Sequence, residues 1–200
     1  MTDKPILFSA PMVKAILEGR KTMTRRVLKP QPAGEVYWNS LLAEWRWMDA
    51  DGYDDEVNDP VVIPYAPGDL LWVREAHAIV GNVDPGFVLY RANGYEAECE
   101  RHGFDKPFPP EADVSWRPSI HMPRWASRIT LRVTAVKVER LQEISEDDAK
   151  AEGVEKPILA HWSALPFKSA FRGIWLDLHG PGAWDANPFV AAYSFERVKP

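Results

Sequence analysis

One cysteine in 200 residues rules out an internal disulfide, so nothing in this chain requires an oxidising compartment. No glycine-rich fingerprint of the P-loop or dinucleotide type is present, which removes the usual signals for ATP or NAD chemistry. The five histidines, at 77, 102, 121, 161 and 179, are scattered. The one short pairing, Cys99-x-x-His102, has no matching pair at metal-ligand spacing, so neither metal nor cofactor is expected. Cys99, flanked by Glu98 and Glu100, also lacks the electropositive setting of a reactive thiol. No stretch approaches the ~18 apolar residues of a membrane span, and the opening MTDKPILFSAPMV lacks the clean apolar run of a signal peptide. The expectation is a soluble, cytoplasmic protein without a membrane partner. Positive charge is in deficit: a net charge of −5 excludes coating nucleic acid by bulk charge and leaves room only for a local basic site.

Tryptophan and proline are abundant, at nine and eighteen residues. Proline at that density argues against long helices and for short strands joined by rigid turns. Ser9 followed by APMVKAILEG predicts a short helix capped by Ser9, with Met12, Val13, Ile16 and Leu17 on one face and Gly19 as its stop. Residues 20–28 read as extended. Residues 30–60 read as a long irregular insertion, with seven acids between Glu44 and Asp59 and with Trp38, Trp45 and Trp47 folding it back onto the body. The Pro67-Gly68 turn leads into a strand from Leu70 to about Glu75, and residues 81–115 form a second irregular insertion. Alternation from Ile129 to Val138, slipping near Ala135, marks the clearest strand. Ser145 caps a helix with Glu146, Asp147 and Asp148 in its first turn and Gly153 as its stop. FKSAFRGIWLDLHG is a further helix and NPFVAAYSFERV a closing strand. Trp72, Trp125 and Trp175 are assigned to the core, Trp116 and Trp184 to a pocket lining. The order α, β, β, β, α, α, β predicts an α+β domain around a small closed or nearly closed sheet.

The stretch GRKTMTRR, residues 19–26, holds four cations and two hydroxyls. It can be a phosphate grip, a solvated turn, or a lysine set beside a threonine that it activates. In an extended chain Thr22 and Thr24 point to one side with Met23 opposite, so that a hydroxyl row can face a cavity with Lys21 curled over it.

ILEGRKTMTRR, then PGDLLWVRE, then the long strand running into ISEDDAKAEGV, then NPFVAAYSFERV together resemble the ASCH domain, a PUA-like β-barrel. The resemblance covers residues 5–28, 62–80, 117–154 and 166–198, and the two insertions fall outside it. It implies a single domain over residues 1–200, a small PUA-like barrel with flanking helices. Some small bacterial ASCH proteins are amidohydrolases that remove the acyl group from N(4)-acetylcytidine and related N(4)-acylated cytidines. Their catalytic Lys and Thr correspond to Lys21 and Thr24, and their catalytic Glu to Glu152. The chain departs from them in its length and in Arg25 directly after Thr24.

Amide hydrolysis needs a nucleophile, a base and a donor for the oxyanion. In one assignment Thr24 attacks the acyl carbon, neutral Lys21 is its base, and Glu152 orients Lys21 or passes a proton to the leaving amine. In the other Glu152 activates water while Lys21 and Thr24 hold the oxyanion. Arg26, Glu75 and His121 are the candidates for binding the cytosine ring. The competing class is a module that grips RNA with Arg25, Arg26, Lys29, Arg117, Arg124 and Arg128, or a ribonuclease using the same cations.

Overall fold

The structure, a computed structural model, describes residues 3–48, 60–82, 84–104, 110–155 and 166–198. Its strands are β1 (Asp3–Leu7), β2 (Met23–Val27), β3 (Glu35–Asn39), β4 (Glu44–Met48), β5 (Leu70–Arg74), β6 (His77–Val80), β7 (Phe87–Tyr90), β8 (Thr130–Arg140) and β9 (Phe189–Val198). Its helices are α1 (Ala10–Leu17), α2 (Tyr95–Arg101), α3 (Glu146–Ala151) and α4 (Phe167–His179). The fold is mixed α+β. Five strands pair in the order β1-β5-β8-β9-β2, and β3-β4 and β6-β7 form two separate hairpins. Among the described residues no ladder joins β1 to β2, so the expected closed barrel is not what the pairings describe.

The chain divides into two compact units. The first takes residues 1–19, 69–132 and 196–200. In it β1 runs parallel to β5, and β5 pairs antiparallel with the start of β8 over Leu70 to Trp72. Ala78, Val80, Leu89, Tyr95, Cys99 and Val114 form one of its apolar clusters. The second unit takes residues 20–68 and 133–195, and there β2 pairs antiparallel with β9, Thr24 lying opposite Tyr193. Its core packs Leu141, Ile144, Phe171, Trp175, Trp184 and Val190.

Local chemistry accounts for most element ends. Ser145 accepts a bond from the Asp148 backbone N–H at 3.1 Å, and three acids occupy the first turn of α3, where the helix dipole favours them. Gly153 then turns the chain at φ 82°, a conformation that costs other residues their Cβ contacts. At α1 the expectation fails in part: Ser9 supplies its carbonyl to Val13 at 2.9 Å but no side-chain cap. The alternation of β8 slips where it was expected, Thr134 and Ala135 both being exposed.

The two insertions are more regular than predicted. The first contains the β3-β4 hairpin, in which Trp38 faces Trp45 across the ladder. The stretch 49–59, with most of its acids, lies outside the described residues. The second insertion contains β7 and α2. Among the tryptophans, Trp175 is core as expected, but Trp184 belongs to the same core rather than to a pocket, and Trp125 is exposed. A flat ring flanked by polar residues gives no local sign of which face it will bury. No helix among the described residues is long and apolar enough to cross a membrane.

Candidate active site

Lys21 enters the second unit at the end of the turn begun by Gly19. Its backbone forms an isolated antiparallel bridge with Glu152, the C-cap residue of α3. The flanking bonds, Thr22 N–H to the Ala151 carbonyl at 2.8 Å and Phe195 N–H to the Thr22 carbonyl at 2.9 Å, pin this segment between α3 and β9. Lys21 is therefore placed by main chain on both sides.

Both side chains are buried, Lys21 at 2% exposure and Glu152 at 9%. Lys21 Nζ donates to Glu152 Oε2 at 2.6 Å, to the Glu152 carbonyl at 2.9 Å and to the Met23 carbonyl at 2.8 Å. Three acceptors use all three protons of an ammonium, so the resting geometry is that of the charged amine. Burial nevertheless pushes the Lys21 pKa below the ordinary lysine value. Glu152 opposes that shift by charge and hydrogen bond, while Arg26 and Arg25 reinforce it. Lysine and glutamate are thus joined by a short hydrogen bond in a dry setting.

Thr24 follows on β2, buried at 3%, one residue beyond the carbonyl that Lys21 holds. Thr22 is exposed, so the two hydroxyls do not form the expected row. The reason is that Thr22 lies in the bridged segment before β2 begins at Met23. Thr24 alone is set into the interior.

Arg25 is the residue that the sequence misplaced. One of the cations of the RNA-gripping alternative, it is fully buried by its side chain and clamps Glu139 and Asp148, each at 2.6 Å, and Glu152 at 3.3 Å. Burial opposes its charge, but Glu152, Glu139 and Asp148 outweigh that penalty and hold its pKa above the usual arginine value. Lys137 also reaches Glu139. Arg25 fixes the Glu152 carboxylate that faces Lys21, and a phosphate grip by this guanidinium would have to displace three carboxylates. No local signal announces it, because the partners come from β8 and α3, over a hundred residues away.

Arg26 lies in the same unit, on the sheet face that Thr24 occupies, since residues two apart on a strand share a face. Burial pushes its pKa down, against the opposing influence of Tyr65, Glu152 and Tyr193. The other two ring-binding candidates fall in the first unit. Glu75 is buried and held in a fork by Arg128, at 2.9 and 3.0 Å, and His121 is exposed at the end of a short 3₁₀ turn. Glu75 is thus already matched by a cation rather than awaiting a ligand. Among the described residues no group of three His, Cys, Asp or Glu side chains is arranged to hold a metal ion.

No family model and no curated protein matches the chain. Among solved structures it is similar to the crystal structure of a protein from Enterococcus faecalis V583 described by the family model DUF984. That likeness has 13% identity and a TM-score of 0.40, over 99% of this chain and 81% of the other. A likeness that loose carries neither fold nor function.

Proposed function

We propose that the protein is a metal-independent amidohydrolase that removes the acyl group from N(4)-acetylcytidine or a related N(4)-acylated cytosine nucleoside, on a PUA-like ASCH fold. The observation that carries the reading is the buried Lys21–Glu152 pair at 2.6 Å, with Lys21 bonded to the carbonyl directly before buried Thr24. In this reading a proton moves along the short Lys21–Glu152 bond, leaving a neutral amine and a carboxylic acid. The amine takes the Thr24 hydroxyl proton as its oxygen attacks the acyl carbon. Glu152 then gives its proton to the leaving N4 as the C–N bond breaks, and water hydrolyses the acyl-threonine by the reverse relay. Burial lowers the Lys21 pKa and so eases the loss of its proton, and this is the role that desolvation plays here.

A module that only grips RNA is less well supported. Of the six cations it would use, Arg25 is locked in carboxylates, Arg128 pairs with Glu75, and Arg124 pairs with Asp3 at 2.7 Å. The direct test is to incubate purified protein with N(4)-acetylcytidine and follow cytidine and acetate, with and without EDTA. Release of both, unchanged by chelation, is the expected result. Cleavage of labelled RNA with no deacylation would replace this reading with the ribonuclease one.

A further inference from the structure

The β3-β4 hairpin stood outside every motif that suggested a reaction, yet it walls a cleft of about 300 Å³ in the second unit. Trp38, Trp45 and Tyr65 contribute rings, Val61 and Ile63 aliphatic surface, and Glu44 one carboxylate. Trp38 and Trp45 meet edge to face, centroids 5.5 Å apart, which fixes both rings, and Trp38 remains 50% exposed at the cleft. Half-exposed tryptophan costs solvation that a ligand would recover.

Tyr65 connects this cleft to the candidate active site. Its ring packs edge to face on Tyr193, centroids 5.2 Å apart. Tyr193 lies directly opposite Thr24 across the β2-β9 ladder, and opposed residues project from the same face. Arg26, two residues along that face, acts electrostatically on both tyrosines. The Tyr65–Tyr193 ring pair therefore links the cleft lining to the strand position opposite Thr24.

We propose that this cleft binds an uncharged planar ring, a nucleobase presented as a free nucleoside. The volume is at the lower end of small-molecule sites and admits one ring system rather than a strand. Edge-on aromatic walls suit a flat π-surface, and Glu44 offers an acceptor for an exocyclic amine. Charge disfavours the phosphorylated forms: Glu44 is on the lining, and among the described residues no lysine or arginine lines the cleft. Glu44 pairs with Arg46 at 3.3 Å, so that cation is already countered. The inference deepens the amidohydrolase reading and rests on it for the delivery of the ring to Thr24. Binding in the cleft is measurable without turnover.

The test is equilibrium dialysis of the full chain with labelled cytidine, cytidine 5′-monophosphate and a short oligocytidylate, on wild type, Trp38→Ala and a filled variant, Val61→Trp. Near-ultraviolet circular dichroism reports that each variant is folded. Cytidine is expected to bind more tightly than either phosphorylated ligand, and both substitutions should weaken it roughly tenfold or more, Trp38→Ala by removing a stacking surface and Val61→Trp by filling the cleft. Absence of cytidine binding at millimolar ligand, indifference to both substitutions, or tighter binding of the oligonucleotide would overturn the proposal. Failure of the two readings is separable. Cytidine binding without hydrolysis of N(4)-acetylcytidine removes the reaction and keeps the cleft. Hydrolysis whose kcat/KM is unchanged in both variants removes the cleft and keeps the reaction.

Discussion

Each unit of this protein buries carboxylates, but they are answered by different cations. In the first unit Glu75 is forked by Arg128, whose guanidinium also lies 3.9 Å over the Tyr90 ring. Glu98, fully buried, accepts from the Tyr90 backbone, Asn93 and Arg101. Arginine never gives up its proton there, so these networks are fixed clamps. In the second unit Arg25 plays the same clamping part toward Glu139, Asp148 and Glu152. What differs is Lys21, a cation that burial drives toward neutrality and that stands on the same carboxylate as the clamp. A buried carboxylate facing only arginine holds structure, whereas one facing arginine on one side and lysine on the other can hold structure and move a proton. That contrast is the physical basis for proposing the chemistry in the second unit rather than at Glu75.

The largest expected effect breaks the clamp. Arg25→Ala leaves three carboxylates without their shared cation and should cost about 3–5 kcal/mol, read by denaturant unfolding. The matching change in the first unit, Arg128→Ala, strands Glu75 alone. Burial already holds the Glu75 pKa above the usual carboxylate value against the pull of Arg128, so the carboxyl can protonate, and the loss should be smaller, about 1–3 kcal/mol. Its sign with pH follows: a carboxyl with a raised folded pKa supports the fold in acid and loses that support as pH rises through the folded value. The Arg128→Ala deficit should therefore grow from mildly acidic to neutral pH.

Lys21 has the opposite sign. Its lowered folded pKa makes it a burden to stability at neutral pH, relieved as pH rises toward the ordinary lysine value. In activity the same group gives a limb that rises with pH below the ordinary lysine range. Glu152→Gln removes the main influence holding that pKa up, so the limb should move to lower pH even as the maximum rate falls. A limb that stays in place or moves up would detach Glu152 from Lys21. The smallest effect is expected from shortening residues 49–59, which should change unfolding free energy by no more than about 1 kcal/mol, because the entropy of closing a connection depends weakly on its length.

Much of this was legible in the sequence where the cause is local. The Ser145 cap, the Gly153 stop and the alternation of β8 each follow from neighbouring residues, and the structure has them. Lys21 and Glu152 follow from a resemblance rather than from local pattern, and the structure brings their side chains together. The failures share a physical reason. Arg25 is buried only because Glu139, Asp148 and Glu152 arrive from distant elements, and its own surroundings, three further basic residues and two threonines, look like surface. The β3-β4 hairpin was hidden because its strands, EVYWN and EWRWM, lack a clean apolar and polar alternation, and its ring pair forms only across the ladder. Trp184 is core and Trp125 is exposed, both against expectation, because packing, not neighbours, decides which ring is covered.

The central claim is that Lys21 acts as a base for Thr24, and Lys21→Arg tests it most directly. Arginine keeps the positive charge and the donors but has no neutral form near neutral pH. The initial rate on N(4)-acetylcytidine is compared for wild type, Lys21→Arg and Lys21→Ala, each shown to be folded. Lys21→Arg should be nearly as inactive as Lys21→Ala. A Lys21→Arg protein within about tenfold of wild type, ~1.4 kcal/mol in barrier, would contradict the account and leave Lys21 as a charge that only steadies the oxyanion.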